Sequence, residues 1–389
     1  MESESRNARL LVLFLLASSH PLIHDLAWAG DESLDTPPQP AIHHTIIELA
    51  TKTTPRSDTA SVAELAAGRL LVVYHKYEAK SRSGHDDGLC RIWSKTSHDG
   101  GRSWVDPRML VDVAPGDVSV MMPALVKLRN GDLLLICQRI HSPYGTRSTM
   151  LLFCSTDDGA SFVEQSPIWR QRADFPIQGG ASSLVELKSG RLLLPYHANG
   201  REGVGLTAWC QLSDDQGKTW RQSKGNIELP KRGAMEASVA EFEDGTLAMS
   251  LRTQLGGPYF SRSTDGGETW SPAEATGLEG GESCTCLRRI PGTNDLLLLW
   301  NNSKYIPRGH HHYGERTPLR AAVSRDHGKT WRVVGTIADD PKAEYANLDC
   351  LFTSRGTAVI TYMMARPAWN RSNIDLRAAI IDKTWFCSQ

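Results

Sequence analysis

The chain has 389 residues, a formal net charge of −1 and 7% aromatic residues. Near-neutral charge removes the basis for nucleic-acid binding or a polybasic membrane contact, and the length suits either one large all-β domain or about two to three ordinary ones. Eight cysteines are scattered without a C-x-x-C pair, so no zinc site is read from them; most are expected on strands as small buried residues, and a Cys137–Cys154 cross-link is left open.

At the start of the chain, Arg6 and Arg9 precede an apolar run over 10–17, and Ala27-Trp28-Ala29 follows before Gly30. A charged start, a short apolar middle and a small-x-small stop form a secretory signal, cut after Ala29. Export to the periplasm or beyond the cell is therefore expected. The run falls short of the ~20 apolar residues that span a bilayer, and no later segment reaches that length, so no membrane span is expected. Residues 30–41, with Pro37, Pro38 and Pro40 among acidic residues, are expected to form a flexible leader. The folded domain is expected over 42–389.

Two patterns then alternate along the chain. The first is a pair of apolar runs about a short turn, in segments 61–75, 123–139, 182–197, 237–252, 286–302 and 350–364. Each reads as a β-hairpin. The second is an eight-residue box, S-x-D-x-G-x-S/T-W, with aspartates at Asp99, Asp157, Asp215, Asp265 and Asp326. A decayed sixth copy runs through Ile381-Asp382-Lys383-Thr384-Trp385. In such a box Asp and Ser bond the turn's own backbone and Gly supplies the positive φ. These aspartates are therefore expected to be structural. Six hairpins, each followed by an outer hairpin, predict an all-β, six-bladed β-propeller. Segment 44–51 is expected to supply the last outer strand.

The second strands of the hairpins end in polar groups: His75, Gln138-Arg139, His197, Arg252 and Asn301-Asn302. Together they are expected to ring one mouth of a central channel as a ligand site, with His75, Arg139 and His197 as candidate sugar contacts. His310-His311-His312 is not read as a metal site, because consecutive side chains on an extended chain point opposite ways.

The box resembles the Asp box, or BNR repeat, of the sialidase (neuraminidase) superfamily. A more specific likeness runs from Met235-Glu236-Ala237-Ser238-Val239-Ala240-Glu241 to Leu251-Arg252, which is similar to the stretch that carries a nucleophile-activating Glu and a carboxylate-binding Arg. By this resemblance Glu236 activates, and Arg252 binds the sugar carboxylate. Arg316-Thr317-Pro318-Leu319 resembles the segment of a second carboxylate-binding Arg, and Tyr345-Ala346-Asn347-Leu348 the segment of the nucleophilic Tyr. Gly84-His85-Asp86-Asp87-Gly88 resembles the loop of the acid/base Asp, with Asp87 preferred over Asp86. Where the family has its first carboxylate-binding Arg, this chain has Asp58-Thr59-Ala60, and its nearest arginine is Arg56. Two residues along a strand shift a side chain by ~6.6 Å. Arg56 is therefore expected to replace the missing arginine incompletely, with the Asp58 charge beside the substrate carboxylate and poor activity on simple sialosides.

The resemblance implies an exo-acting glycoside hydrolase that releases a terminal acidic sugar, sialic acid or a relative, from extracellular glycans. It calls for no metal or organic cofactor. Two alternatives stay open: a related hydrolase on a different sugar, and a non-catalytic glycan-binding propeller. Beside a substrate carboxylate an anionic nucleophile is repelled, and a neutral phenol is not. With a reference pKa near 10, that phenol needs a base beside it.

Overall fold

The computed structural model describes residues 41–79, 86–178, 183–308, 312–368, 370 and 373–387. The signal segment 1–29, most of the leader, Gly84-His85 and His310-His311 lie outside the described residues. Among the described residues the fold is all-β, with two short 3₁₀ turns and no α-helix.

The hairpins form where the apolar runs place them. Arg56–Glu64 pairs antiparallel with Leu70–Tyr77, and Asp117–Lys127 with Leu133–His141. Val185–Glu186 pairs with Leu192–Asn199, Met235–Glu241 with Leu247–Arg252, Cys286–Arg289 with Leu296–Asn301, and Glu344–Phe352 with Thr357–Ala365. Each hairpin continues into an antiparallel meander. The last meander takes its outer strand from the other end of the chain, where His43–Glu48 pairs with Ile374–Asp382. A single parallel pair, Arg56 with Ile374, joins this meander to the first.

The second strands read as unbroken apolar runs because both their faces are buried. Leu133 and Leu135 pack with Leu71 and Val73 of the preceding sheet, whereas Leu134 and Ile136 pack with Leu192 and Leu194 of the following one. The same alternation repeats along the chain. Leu193 and Leu212 pack with Val239 and Leu247, and Ala248 and Phe260 with Leu296 and Leu298. Leu297 and Leu299 pack with Ala358 and Ile360. Val359 and Leu376 of the last sheet then pack with Val62 and Val72 of the first. Each fully buried Leu or Val contributes about 1.5–3 kcal/mol relative to exposure, so each sheet is held mainly by its two neighbours. A cavity of about 680 Å³ takes its lining from the far ends of the first strands, among them Val62, Leu125, Val185, Val239, Arg288 and Cys350.

The boxes are self-contained turns. Asp215 accepts from the backbone N–H and the hydroxyl of Thr219, and the Ser213 hydroxyl donates to it while accepting from Gly217 N–H. The other four boxes repeat these bonds. Side-chain and backbone donors hold Asp157, Asp215 and Asp326 down at about 2, which fits the structural role expected of them. Cys137 and Cys154 are not cross-linked, since they face Leu151 and Leu134 respectively across the same strand pair.

Four of the first strands carry a β-bulge near the end at which they enter the sheet. The register slips between Asp58 and Ser61, Met121 and Ala124, Met235 and Ser238, and Ala346 and Asp349. At each slip one non-glycine residue takes a positive φ: Thr59 (43°), Met122 (55°), Glu236 (36°) and Asn347 (55°). A bulge re-aims a side chain at a local conformational cost, and such strained positions cluster at functional sites.

Candidate active site

All four bulged residues line one cavity of about 410 Å³, at the opposite end of the first strands from the larger cavity. Arg56, Arg252 and Arg316 line it too, as do His75, His197 and Asp86. The site is thus built by bulges that turn side chains out of the sheets and into a common space.

Arg56 forms one wall. Its Nε donates to Asp58 Oδ2 at 2.8 Å, its Nη1 donates to Asp86 Oδ1 at 2.7 Å, and its guanidinium lies 4.5 Å above the Tyr77 ring. Asp58 is completely buried behind it. The same carboxylate accepts from Asn347 Nδ2 at 3.0 Å and faces His75 Nε2. Met122 N–H donates to His75 Nδ1 at 3.2 Å, so the ring proton sits on Nε2 and points at Asp58. The expectation that Asp58 would set its charge beside a substrate is therefore corrected. Asp58 is a buried anchor for three residues of the cavity wall.

The opposite wall carries Glu236 and two further arginines. Arg252 Nη1 donates to Glu236 Oε2 at 2.8 Å and its Nη2 to Glu282 Oε1 at 2.8 Å, while its buried Nε has no partner among the described residues. Arg316 Nη1 donates to Glu344 Oε1 at 2.9 Å. Each of the three arginines thus leans on a carboxylate that solvent does not reach, Asp58, Glu282 or Glu344, and such charge-assisted bonds fix the guanidinium plane. Burial and the Arg252 charge both lower the pKa of Arg316. Two cations held this close favour an anion between them.

Burial alone would raise the Glu236 pKa. The Arg252 and His197 interactions outweigh it and hold the carboxyl below its ordinary value. Glu236 N–H donates to His197 Nδ1 at 3.3 Å, which repeats the bond between Met122 and His75. Burial lowers both histidines to about 4. Each is neutral at neutral pH, with Nδ1 occupied as an acceptor, and so neither is arranged to act as a base.

Three expected site residues lie elsewhere. Tyr345 is 2% exposed in the core between the last two sheets, where its ring meets Tyr362 edge-on and its hydroxyl accepts from Asp340 N–H at 3.1 Å. Its phenol is not brought to Glu236; the bulge two residues on presents Asn347 to the cavity instead. Arg139 turns to Asp117 on the other face of its strand, and the neighbouring Gln138 bonds the Pro176 carbonyl. Asp86, rather than Asp87, is the member of its pair that lines the cavity.

Several residues of the site were not anticipated: Arg232, Glu282, Glu344, Asn347 and Tyr144. Only Glu344 had a usable sequence signal, as an acid at the first position of a strand that enters the site.

A family model described as a BNR repeat-like domain matches residues 68–356. A curated relative, the anhydrosialidase of Macrobdella decora, is 31% identical over 123 residues, which is 30% of this chain and only 16% of that protein. Among solved structures, the NanB sialidase from Streptococcus pneumoniae superposes with a TM-score of 0.70 at 14% identity, covering 88% of this chain and 71% of that one. A protein of unknown function from Dyadobacter fermentans superposes with a TM-score of 0.63 at 19% identity, covering 87% of this chain and 98% of that one. These structural likenesses establish a sialidase-like, β-propeller-like fold. With a family model that spans most of its length, five Asp boxes and this fold, the chain belongs to the BNR repeat branch of the sialidase superfamily.

Proposed function

We propose that this protein is an exported, exo-acting glycoside hydrolase of the sialidase type that releases a terminal acidic sugar from extracellular glycans. The observation that carries the reading is the convergence of Arg56, Arg252 and Arg316 on one cavity that also presents Glu236 and Asp86. Three forked donors clamp one carboxylate. The sugar then sits with its glycosidic oxygen toward Asp86. Asp86 protonates the leaving oxygen as the bond to the anomeric carbon breaks. Glu236, kept ionised by Arg252, takes a proton from the water that adds to that carbon. The products are the free sugar and the shortened glycan; Glu236 then releases its proton to solvent and Asp86 regains one.

The architecture belongs to the same proposal. Six four-stranded meanders close as six blades. Support comes from the six successive inter-sheet cores, the last of which joins the final sheet to the first. The N-terminal signal and export remain part of the proposal on the sequence pattern described above.

A second reading has a specific observation behind it. Tyr345 is occupied in the core, which favours a related hydrolase whose sugar does not need a phenol nucleophile. A screen of the mature protein on fluorogenic glycosides, sialosides and other acidic sugars included, tests both. Turnover confined to acidic glycosides, lost in Glu236→Gln and Asp86→Asn, is the expected result. Cleavage of neutral glycosides alone would overturn the carboxylate clamp. Glycan binding by a folded protein without any turnover would favour a binding module.

A further inference from the structure

The carboxylate clamp uses three arginines, and the cavity holds a fourth. Arg232 comes from the loop just before Met235–Glu241, and its side chain is about half exposed at the mouth. Among the described residues its one side-chain hydrogen bond runs from Nη1 to Glu282 Oε1 at 2.6 Å. That carboxylate is already shared with Arg252 Nη2 and Gln254 Nε2, each at 2.8 Å. One buried acid therefore serves two arginines, and the Nε and Nη2 donors of Arg232 are left for a ligand.

The loop is fixed before any ligand arrives. Leu206 N–H donates to the Arg232 carbonyl at 2.7 Å, and Ala234 N–H donates to the Leu206 carbonyl at 2.9 Å. Gly233 passes so close to this neighbour that a Cβ there would lie 2.0 Å from the Leu206 oxygen, at a φ of 101°. Gly205 approaches Arg232 as well, since a Cβ there would lie 2.6 Å from the Arg232 carbonyl. Lys231 is pinned as well, through Nζ bonds to the Gln254 carbonyl and the Tyr305 hydroxyl. The Arg232 guanidinium is thus presented by a rigid support. Its charge acts on Tyr144 and on His197, which line two other parts of the same cavity.

The buried acids are not shared evenly among the four arginines. Arg56 and Arg316 each have a buried carboxylate of their own, Asp58 and Glu344, whereas Arg232 shares Glu282 with Arg252. We infer that Arg232 is a specificity-determining residue that reads a second oxyanion, so that the preferred substrate is an acidic sugar bearing a further anionic substituent such as a sulfate ester. This rests on the acidic-sugar reading proposed above and extends it to a second charged position at the mouth.

The test is calorimetric binding of N-acetylneuraminic acid and of its 4-O-, 8-O- and 9-O-sulfates to the wild-type protein and to Arg232→Gln. A new forked, charge-assisted contact should make at least one sulfate bind about tenfold tighter than the parent sugar. In Arg232→Gln that ratio should fall to within about twofold of unity. Arg232 lies at the mouth and outside the core, so the variant is expected to fold, and its melting curve checks this. Binding of the parent sugar with no gain from any sulfate overturns the inference while leaving the clamp intact, and so does a gain that survives in Arg232→Gln. Failure of a folded wild-type protein to bind any of the four sugars overturns the acidic-sugar reading itself, and the inference with it.

Discussion

Replacing Asp58 by Asn keeps the shape of the anchor behind the cavity and removes its charge. In the native site Oδ2 accepts from Arg56 Nε and Asn347 Nδ2, while Oδ1 faces His75 Nε2. An amide has one acceptor oxygen. If that oxygen keeps the Oδ2 position, the amide N–H confronts the His75 N–H. Moving the His75 proton to Nδ1 would then confront the Met122 N–H that now bonds there. One buried donor is orphaned either way, at about 1–3 kcal/mol. Arg56 also loses the charge of its buried partner, while the ion pair with the exposed Asp86 remains. Breaking a buried pair outright costs about 3–5 kcal/mol, so with Asp86 still in place the total should be about 3 kcal/mol. Urea unfolding followed by tryptophan fluorescence measures this as a lower midpoint at unchanged slope. A loss below about 1 kcal/mol would refute the anchoring role, because the three bonds would then contribute almost nothing net.

Tyr345→Phe should remove a single hydrogen bond to Asp340 N–H, costing about 0.5–1.5 kcal/mol in unfolding experiments, and should keep most of the turnover on any substrate the glycoside screen returns; a fall of ~10²-fold or more with normal stability would restore the phenol as a reacting group. Arg252→Lys can make only one of the two bonds to Glu236 and Glu282, so an acidic sugar should bind about tenfold or more weakly, and equal binding would count against the clamp. Acid should also destabilise the fold through the buried histidines. His75 and His197 titrate at about 4 in the folded protein and near 6.5 when unfolded; the unfolded chain therefore binds more protons between those values, and stability falls as pH drops from about 6.5 to about 4. The double variant His75→Gln with His197→Gln should show a shallower fall in urea midpoint over that range, and an identical pH profile would contradict it.

The hairpins and boxes were legible because both are local. Two apolar runs about a Gly-containing turn specify a strand pair, and the box aspartates bond only their own turn. Glu236 and Arg252 were legible for a related reason, since both belong to one hairpin. The parity of side chains past a bulge was not legible. Along a regular strand the facing of a residue follows from counting by two, and one inserted residue reverses it. This is why Asn347 faces the cavity and Tyr345 the core. Arg139 failed more simply, because it occupies the face of its strand opposite to Gln138. Arg232 and Glu282 lie in connecting segments that carry no periodic signal, and only the meeting of separate sheets brings them together.

The pairing of His43–Glu48 with Ile374–Asp382 makes the first strand of the domain to be synthesised wait for nearly the last. His44 and Tyr362, 318 residues apart in the chain, share a hydrogen bond at 2.9 Å. Joining segments so distant carries a large loop-closure entropy and slows folding. Until it happens, Ile374–Asp382 presents a naked edge whose backbone groups can recruit the same strand from another copy. Removing residues 43–48 would make that edge permanent, and the truncated protein should then associate edge to edge, or accept a synthetic peptide of the lost sequence in trans.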